Sequence, residues 1–187
     1  MTAFNPITLQ TARLSLRFLR MDDAPALLHL FSDPEALRYW SCTPWLHLDQ
    51  AIDNIRLTLQ GYEERSSLRL AMMLGEELIG TATLYAFDHR NHRCEIGYML
   101  SRAHWGRGYM PEALAALIGY GFGPLELHRI EADIHPENVA SERILQRLHF
   151  RQEGRLRERW FVGGEISDSV IYGLLARDWQ AATHPPQ

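Results

Sequence analysis

Apolar residues recur along this chain in two rhythms. Over 13–20 (RLSLRFLR) they alternate, with Leu14, Leu16 and Phe18 on one face, the pattern of an antiparallel strand with one side in a core. Asp22 and Asp23 then cap a short helix that runs to about Phe31, where Asp33-Pro34 interrupts it. A second helix is predicted from Asp49, with Ala51, Ile52, Ile55, Leu59 and Tyr62 near a 3.6-residue spacing. Three strand-like runs follow at 68–74, 77–87 and 93–100, joined by turns at Gly75-Glu76-Glu77 and at the polar stretch DHRNHR. After the loop SRAHWGRG come a helix over 109–121, a strand over 129–135 and a helix over 138–148. Two strands, RLRERWFV and ISDSVIYGLLA, close the chain around Gly163-Gly164.

Helices separate some of these strands and hairpins join others. The expected class is α/β (α+β), a mixed sheet with helices on both faces. No internal repeat is present. ATHPPQ is the one segment expected to be disordered, giving a single domain over 1–182 and a flexible tail over 183–187.

Composition narrows the function classes. The 187 residues suit one domain, and 19 Lys and Arg against 23 Asp and Glu leave a formal charge of −4. A protein that grips nucleic acid through its phosphates is normally more basic, so no nucleic-acid partner is expected. Cys42 and Cys94 are too few for a disulfide framework or a four-thiolate zinc site. His89, His92 and Cys94 lie close in sequence but lack a second ligand cluster, so no metal is expected. The opening residues show no cationic stretch before an apolar run, and no window holds 18 uninterrupted apolar residues. A cytoplasmic protein with no membrane partner is expected.

The most informative segment is EIGYMLSRAHWGRGYMPEALAAL, residues 95–117. A strand ends near Leu100, a loop carries Gly106 and Gly108, and a helix opens at about Tyr109 with Pro111 in its first turn. Such a loop aims free backbone N–H groups at one point, reinforced by the helix dipole, and suits a phosphate or pyrophosphate. It can equally be a tight strand–helix turn. A Walker loop needs Gly-Lys-Ser/Thr, but Gly108-Tyr109-Met110 stands here, and a dinucleotide fingerprint needs a small residue where Pro111 lies.

With EIGYML, WGRGYMPEA and HRIEADIHPENVASERILQRLHF in this order, the chain resembles the GNAT superfamily of acyl-CoA-dependent N-acetyltransferases. It is most similar to the ribosomal-protein N-terminal acetyltransferase (RimJ/RimL-like) branch. TARLSLR, SDPEALRYW and EGRLRERWFVGGEISDSVIYGLLARDW extend the likeness over nearly the whole chain. The resemblance implies a mostly antiparallel twisted sheet of about seven strands, splayed between its fourth and fifth. Acetyl-CoA would lie in that wedge as cosubstrate. Its pyrophosphate would sit on the loop Trp105, Gly106, Arg107, Gly108, Tyr109 and Met110, and its pantetheine arm would pair with backbone at Met99, Leu100 and Ser101. Two positions depart from the family pattern: Ala103 replaces the usual Gln or Arg, and His149-Phe150 replaces the Gly-Phe that often ends the later helix.

Amide formation from an amine and a thioester needs a deprotonated amine, an oxyanion donor and a stabilised thiolate. Glu95, in an otherwise apolar strand, is the candidate base, since apolar neighbours tend to raise a carboxylate's pKa. It also occupies the position where the family often uses a Glu. Asn138 and Ser141 share a face at the start of a predicted helix. Asn138 is a natural N-cap. In the resembling branch Asn holds the pantetheine arm and Ser assists the departing sulfur, while the Leu100 amide contacts the oxyanion. Tyr172 is a rival donor. Neither cysteine stands where a nucleophile would, so direct attack in a ternary complex is expected. Tyr39, Trp40, Trp45 and His47 crowd an irregular stretch, and in this family that region and the hairpin around Trp160 and Phe161 border the acceptor pocket. Core packing explains those aromatics equally well. The acceptor would be a protein N-terminus or a small amine, and the protein a monomer or homodimer. The alternative function is a non-catalytic acyl-CoA-binding or regulatory module on the same fold.

Overall fold

The computed structural model describes residues 3–183. Eight strands form one sheet: β1 (Thr8–Gln10), β2 (Ser15–Phe18), β3 (Ser67–Leu74), β4 (Glu77–Asp88), β5 (Arg93–Leu100), β6 (Arg129–Ile134), β7 (Arg151–Val162) and β8 (Glu165–Leu175). Their spatial order is β1-β2-β3-β4-β5-β6-β8-β7, with every pair antiparallel except β5–β6. The helices are α1 (Ala24–Phe31), α2 (Leu48–Glu64), α3 (Tyr109–Phe122), α4 (Val139–Arg147) and α5 (Ala176–Thr183). β1 and α5 are additions to the predicted order. A three-residue edge strand is too short to show a period, and α5 has no buried residue to mark one. Thr183, the first residue of the expected tail, lies in α5, and the rest of that tail lies outside the described residues.

Alternation along the strands builds two cores. Leu68, Leu70 and Met72 of β3 face one side of the sheet with Leu84, Ile96 and the α3 residues Leu114 and Leu117. Ala71 and Met73 face the other, against Leu27, Phe31 and Ile55 of α1 and α2. β3 is thus apolar on both faces because helices cover both. The caps expected for α1 and α2 are replaced. Asp23 turns its carboxylate to Arg17 and to the amide of Arg20, and Gln50 folds back onto the amides of Leu46 and His47. Among the described residues no helix is long and apolar enough to cross a membrane.

Two local features shape the site. β5 and β6 pair only over Arg93–Glu95 with Arg129–Glu131, then part, so the expected splay lies between β5 and β6 once β1 is counted. The end of α4 is closed by His149 at φ +67, with Phe150 N–H donating to the Leu145 carbonyl at 3.0 Å. This is the left-handed helix ending that glycine favours. His149→Gly is expected to raise stability by about 0.5–1 kcal/mol, a Tm gain of roughly 1–4 °C by calorimetry. An unchanged or lower Tm would mean that the imidazole contributes as much as the backbone conformation costs.

Candidate active site

The loop between β5 and α3 is held at both ends and open in the middle. A single 3-10 turn at Arg102–His104 follows β5, Trp105 Nε1 donates to the Leu100 carbonyl at 2.8 Å, and α3 starts at Tyr109. Gly106 and Gly108 have φ of +72 and +78, which residues with a Cβ rarely adopt. Among the described residues the main-chain N–H groups of 106–110 find no acceptor in the protein. Five consecutive donors at a helix N-terminus form a cradle for an anion.

The N-terminal segment clamps this cradle from the side. Arg13 Nη1 donates to the Arg107 carbonyl at 2.9 Å, its guanidinium lies 4.6 Å from the Tyr109 ring centroid, and it pairs with Glu112 of α3 at 2.6 Å. Burial works to raise the Glu112 pKa, but hydrogen bonds from Thr11 and Arg13 outweigh it and hold the carboxyl below its usual range.

β5 carries the loop's geometry into the splay. Ser101 N–H donates to the Ile79 carbonyl at 2.8 Å, and by antiparallel alternation Met99 turns its main chain to Thr81 of β4. The main-chain groups of Leu100, Tyr98 and Ile96 therefore point into the gap that β6 leaves. The Tyr98 hydroxyl is sealed from solvent beside Ser141, yet no hydrogen bond closes on it. Burial pushes it up to about 12, with Ser141 opposing. Asn138 caps α4, its Oδ1 accepting from the Ser141 N–H at 3.1 Å, and the Ser141 hydroxyl, which the cap does not use, stands beside Tyr98.

A cleft of about 610 Å³ opens on the α1/α2 side of the sheet. Tyr39, Trp40, Tyr98, Ser141 and Trp160 all line it, as do Tyr85, Arg69 and Asp133. Glu95 is half-buried and is not part of the lining. It sits opposite Tyr85 across β4–β5, and the Tyr85 side chain, which does line the cleft, lies beside its carboxylate. Burial first, then the neighbouring Glu95 charge, push Tyr85 well above the usual phenol value. Asp133 accepts from Arg159 Nε at 2.8 Å and from Trp160 Nε1 at 3.3 Å.

These features have counterparts in known proteins. A family model described as an acetyltransferase (GNAT) domain matches residues 13–151. The chain belongs to the GNAT acetyltransferase family. The uncharacterized N-acetyltransferase p20 of Bacillus licheniformis is 41% identical over 176 residues, covering 92% of this chain and 98% of that one. The [ribosomal protein uS5]-alanine N-acetyltransferase of Escherichia coli is 34% identical over 105 residues, 56% of this chain and 54% of its own. The crystal structure of RimL, a ribosomal L7/L12 alpha-N-protein acetyltransferase in complex with coenzyme A, superposes with a TM-score of 0.82 over 90% of this chain and 98% of that one. At 20% identity it shows the shared fold. The RimJ/RimL-like branch read from the sequence is consistent with the ribosomal-protein acetyltransferase among these relatives.

Within this N-acetyltransferase some expected residues fall elsewhere. Trp45 does not line the cleft: it stacks on Phe31 at 4.4 Å, and its N–H donates to the Phe31 carbonyl, so it is a packing residue. Met99 packs among α1 and α2, and together with Ser101 it turns its main chain to β4, which leaves Leu100 as the one of the three whose amide faces the gap. Tyr172 is buried, donates to Glu142 at 3.3 Å and lies off the lining, which removes it as a donor. Burial raises the thiols of both Cys42 and Cys94, the reverse of what a nucleophile needs. Arg155 pairs with Asp168 as a surface residue does, but Arg159 reaches the nearly buried Asp133. A register shift between Leu156 and Trp160 breaks the alternation that would otherwise put it in solvent. Tyr85, Tyr98, Asp133 and Arg69 were not among the sequence candidates. For Tyr85, Tyr98 and Arg69 the only sequence signal was a polar letter inside a largely apolar run, and Asp133 is one of three charges in RIEADI. Among the described residues no three His, Cys, Asp or Glu gather as a metal site.

Proposed function

We propose that this N-acetyltransferase moves the acetyl group of acetyl-CoA to a primary amine by direct attack in a ternary complex. The unpaired amides of 106–110 at the mouth of the β5–β6 splay carry this reading, because they offer a pyrophosphate the donors it needs and no acceptor among the described residues satisfies them. The acyl end would enter the splay past Leu100, whose free amide is aimed where charge develops on the carbonyl oxygen. The Tyr85–Glu95 pair would take the amine's proton, and Ser141 would donate to the leaving sulfur. Trp40, Tyr39 and Trp160 would shape the acceptor side. The family membership supports acetyl transfer, and the ribosomal-protein enzymes among the relatives support a cytoplasmic setting and an α-amine as one acceptor class. The chain would work as a monomer or homodimer, as one domain over 1–182.

The test is release of free CoA when acetyl-CoA meets a panel of amines and short peptides, with products identified by mass spectrometry. No thiol from any of them, alongside acetyl-CoA binding by calorimetry, would favour a binding module instead. Ser141→Ala keeps the Asn138 cap, because the cap uses the Ser141 amide. A thiol pKa is about 8.5, so the thiolate leaves tolerably well and the donor's share is modest. The variant is expected to lower kcat about tenfold with acetyl-CoA affinity unchanged. Equal losses in both would make Ser141 a binding residue.

A further inference from the structure

Several guanidinium groups near the sheet are matched with carboxylates: Arg17 with Asp23, Arg129 with Glu131 and Glu153, Arg159 with Asp133. Arg69, on the cleft wall, is not. Its Nη1 donates to the Asn54 side-chain oxygen at 2.5 Å, and its guanidinium lies 5.1 Å from the Phe31 ring centroid. Its Nε is sealed without an acceptor, Nη2 finds no hydrogen-bond partner among the described residues, and the residue lines the cleft. Among the described residues no carboxylate comes within ion-pair distance of it. Burial pushes Arg69 down to about 10, so it remains charged at neutral pH. A desolvated and unmatched charge is costly, and a cleft wall that keeps one favours a ligand of opposite sign.

Register places this charge relative to the reacting centre. Arg69, Thr83 and Gly97 form one row across β3, β4 and β5, and Ser67, Tyr85 and Glu95 form the next row on the same face. Arg69 and Glu95 are thus two strands and two residues apart, roughly 12 Å between Cα atoms at ordinary sheet spacings. Arg69 and Tyr85, which stands beside Glu95, both line the cleft, which leaves a span of amino-acid length between an acidic end and a cationic end. Asp133 does not cancel the cationic end, since Arg159 already occupies it.

We propose that the acceptor is a zwitterion, an amine that also carries a carboxylate, with the carboxylate on Arg69 and the amine at Tyr85 and Glu95. The proposal rests on the acetyltransferase reading and narrows its acceptor, disfavouring polyamines. Guanidinium–carboxylate contacts are charge-assisted and specific in geometry. The experiment compares glycine, 4-aminobutyrate, 6-aminohexanoate, leucine and phenylalanine with their carboxamides in the CoA-release assay. In parallel, calorimetry measures binding of the N-acetylated acids and amides, without turnover. At least a tenfold preference in kcat/KM for acid over amide is expected at one spacing. Arg69→Gln should erase it through KM, leave the amides unaffected and keep acetyl-CoA affinity, while Arg69→Lys restores part of it.

Acids and amides used equally well would overturn the zwitterion and leave acetyl transfer standing. N-acetylated acids that bind through Arg69 while no amine yields thiol would support the anion site and overturn acetyl transfer. Equal loss on acids and amides in Arg69→Gln, or neither turnover nor binding of any acid, would overturn the proposal. Should Arg69→Gln fail to fold, the acid-over-amide preference of the unaltered enzyme decides alone.

Discussion

Replacing Gly108 by valine is expected to weaken acetyl-CoA binding at least a hundredfold. Gly108 holds φ +78 immediately before α3, and a β-branched residue is a severe outlier there. The nearest atom to a Cβ at this position is Arg13 Nη2 at 3.4 Å, ordinary contact, so the effect works through the backbone and not through crowding. To relieve the strain the loop must rotate the peptides on either side of residue 108, and those peptides carry the amides of the cradle. A hydrogen bond to a charged group is worth about 1.5–3 kcal/mol, so misaiming two of them costs about 3 kcal/mol or more. That corresponds to roughly two orders of magnitude in Kd. Calorimetry with acetyl-CoA measures it. Far-UV circular dichroism should stay unchanged, because the loop is exposed and only the entry to one helix is disturbed. Gly108→Asn, which tolerates the left-handed conformation, should retain most of the affinity. Affinity kept by the valine variant would show that the pyrophosphate is held elsewhere.

That loop was legible in the sequence because its physics is local. Two glycines, a proline three residues further on and the end of an apolar strand specify a turn, a helix start and open amides without reference to the rest of the chain. The strands themselves were legible for a similar reason: short apolar runs at 68–74, 77–87 and 93–100 bounded by turn residues mark strands without reference to distant segments. What could not be read is set by register between distant segments. Tyr85 faces Glu95 only because the β4–β5 pairing aligns them, and Arg159 reaches Asp133 only because β7 slips against β8 before Trp160. Trp40 and Trp45 are indistinguishable as letters in one irregular stretch. Phe31 contacts both, yet it stacks face-on with Trp45 and edge-on with Trp40, which leaves Trp40 on the cleft lining. Arg69 did leave a trace, as the only charge in the β3 run SLRLAMML, where both faces are otherwise covered.

Glu95→Gln is the second large effect, expected at about 10² in kcat/KM at pH 7 with acetyl-CoA affinity unchanged. A carboxamide keeps the shape and can still accept from Tyr85, but it cannot take up a proton. The neighbouring hydroxyl then has no charged partner to which it can pass one. Since Tyr85 and not Glu95 lines the cleft, the two should act as a unit, and Tyr85→Phe should cost a comparable factor with the double variant little worse than either. The pH profile separates this from a structural loss. A peptide α-amine has a pKa of about 8, so only about a tenth of it is neutral at pH 7 and about nine tenths at pH 9. The variant lacks a base and depends on that neutral fraction, so its deficit against the unaltered enzyme should shrink roughly ninefold over this interval. An amine of pKa about 10.4 multiplies its neutral fraction roughly a hundredfold over the same interval, from about 0.04% to about 4%, so there the deficit should shrink more steeply still. A deficit that stays constant with pH for both amine classes would mean that Glu95 only orients Tyr85. Unaltered CoA release in the variant would remove the pair from proton transfer altogether.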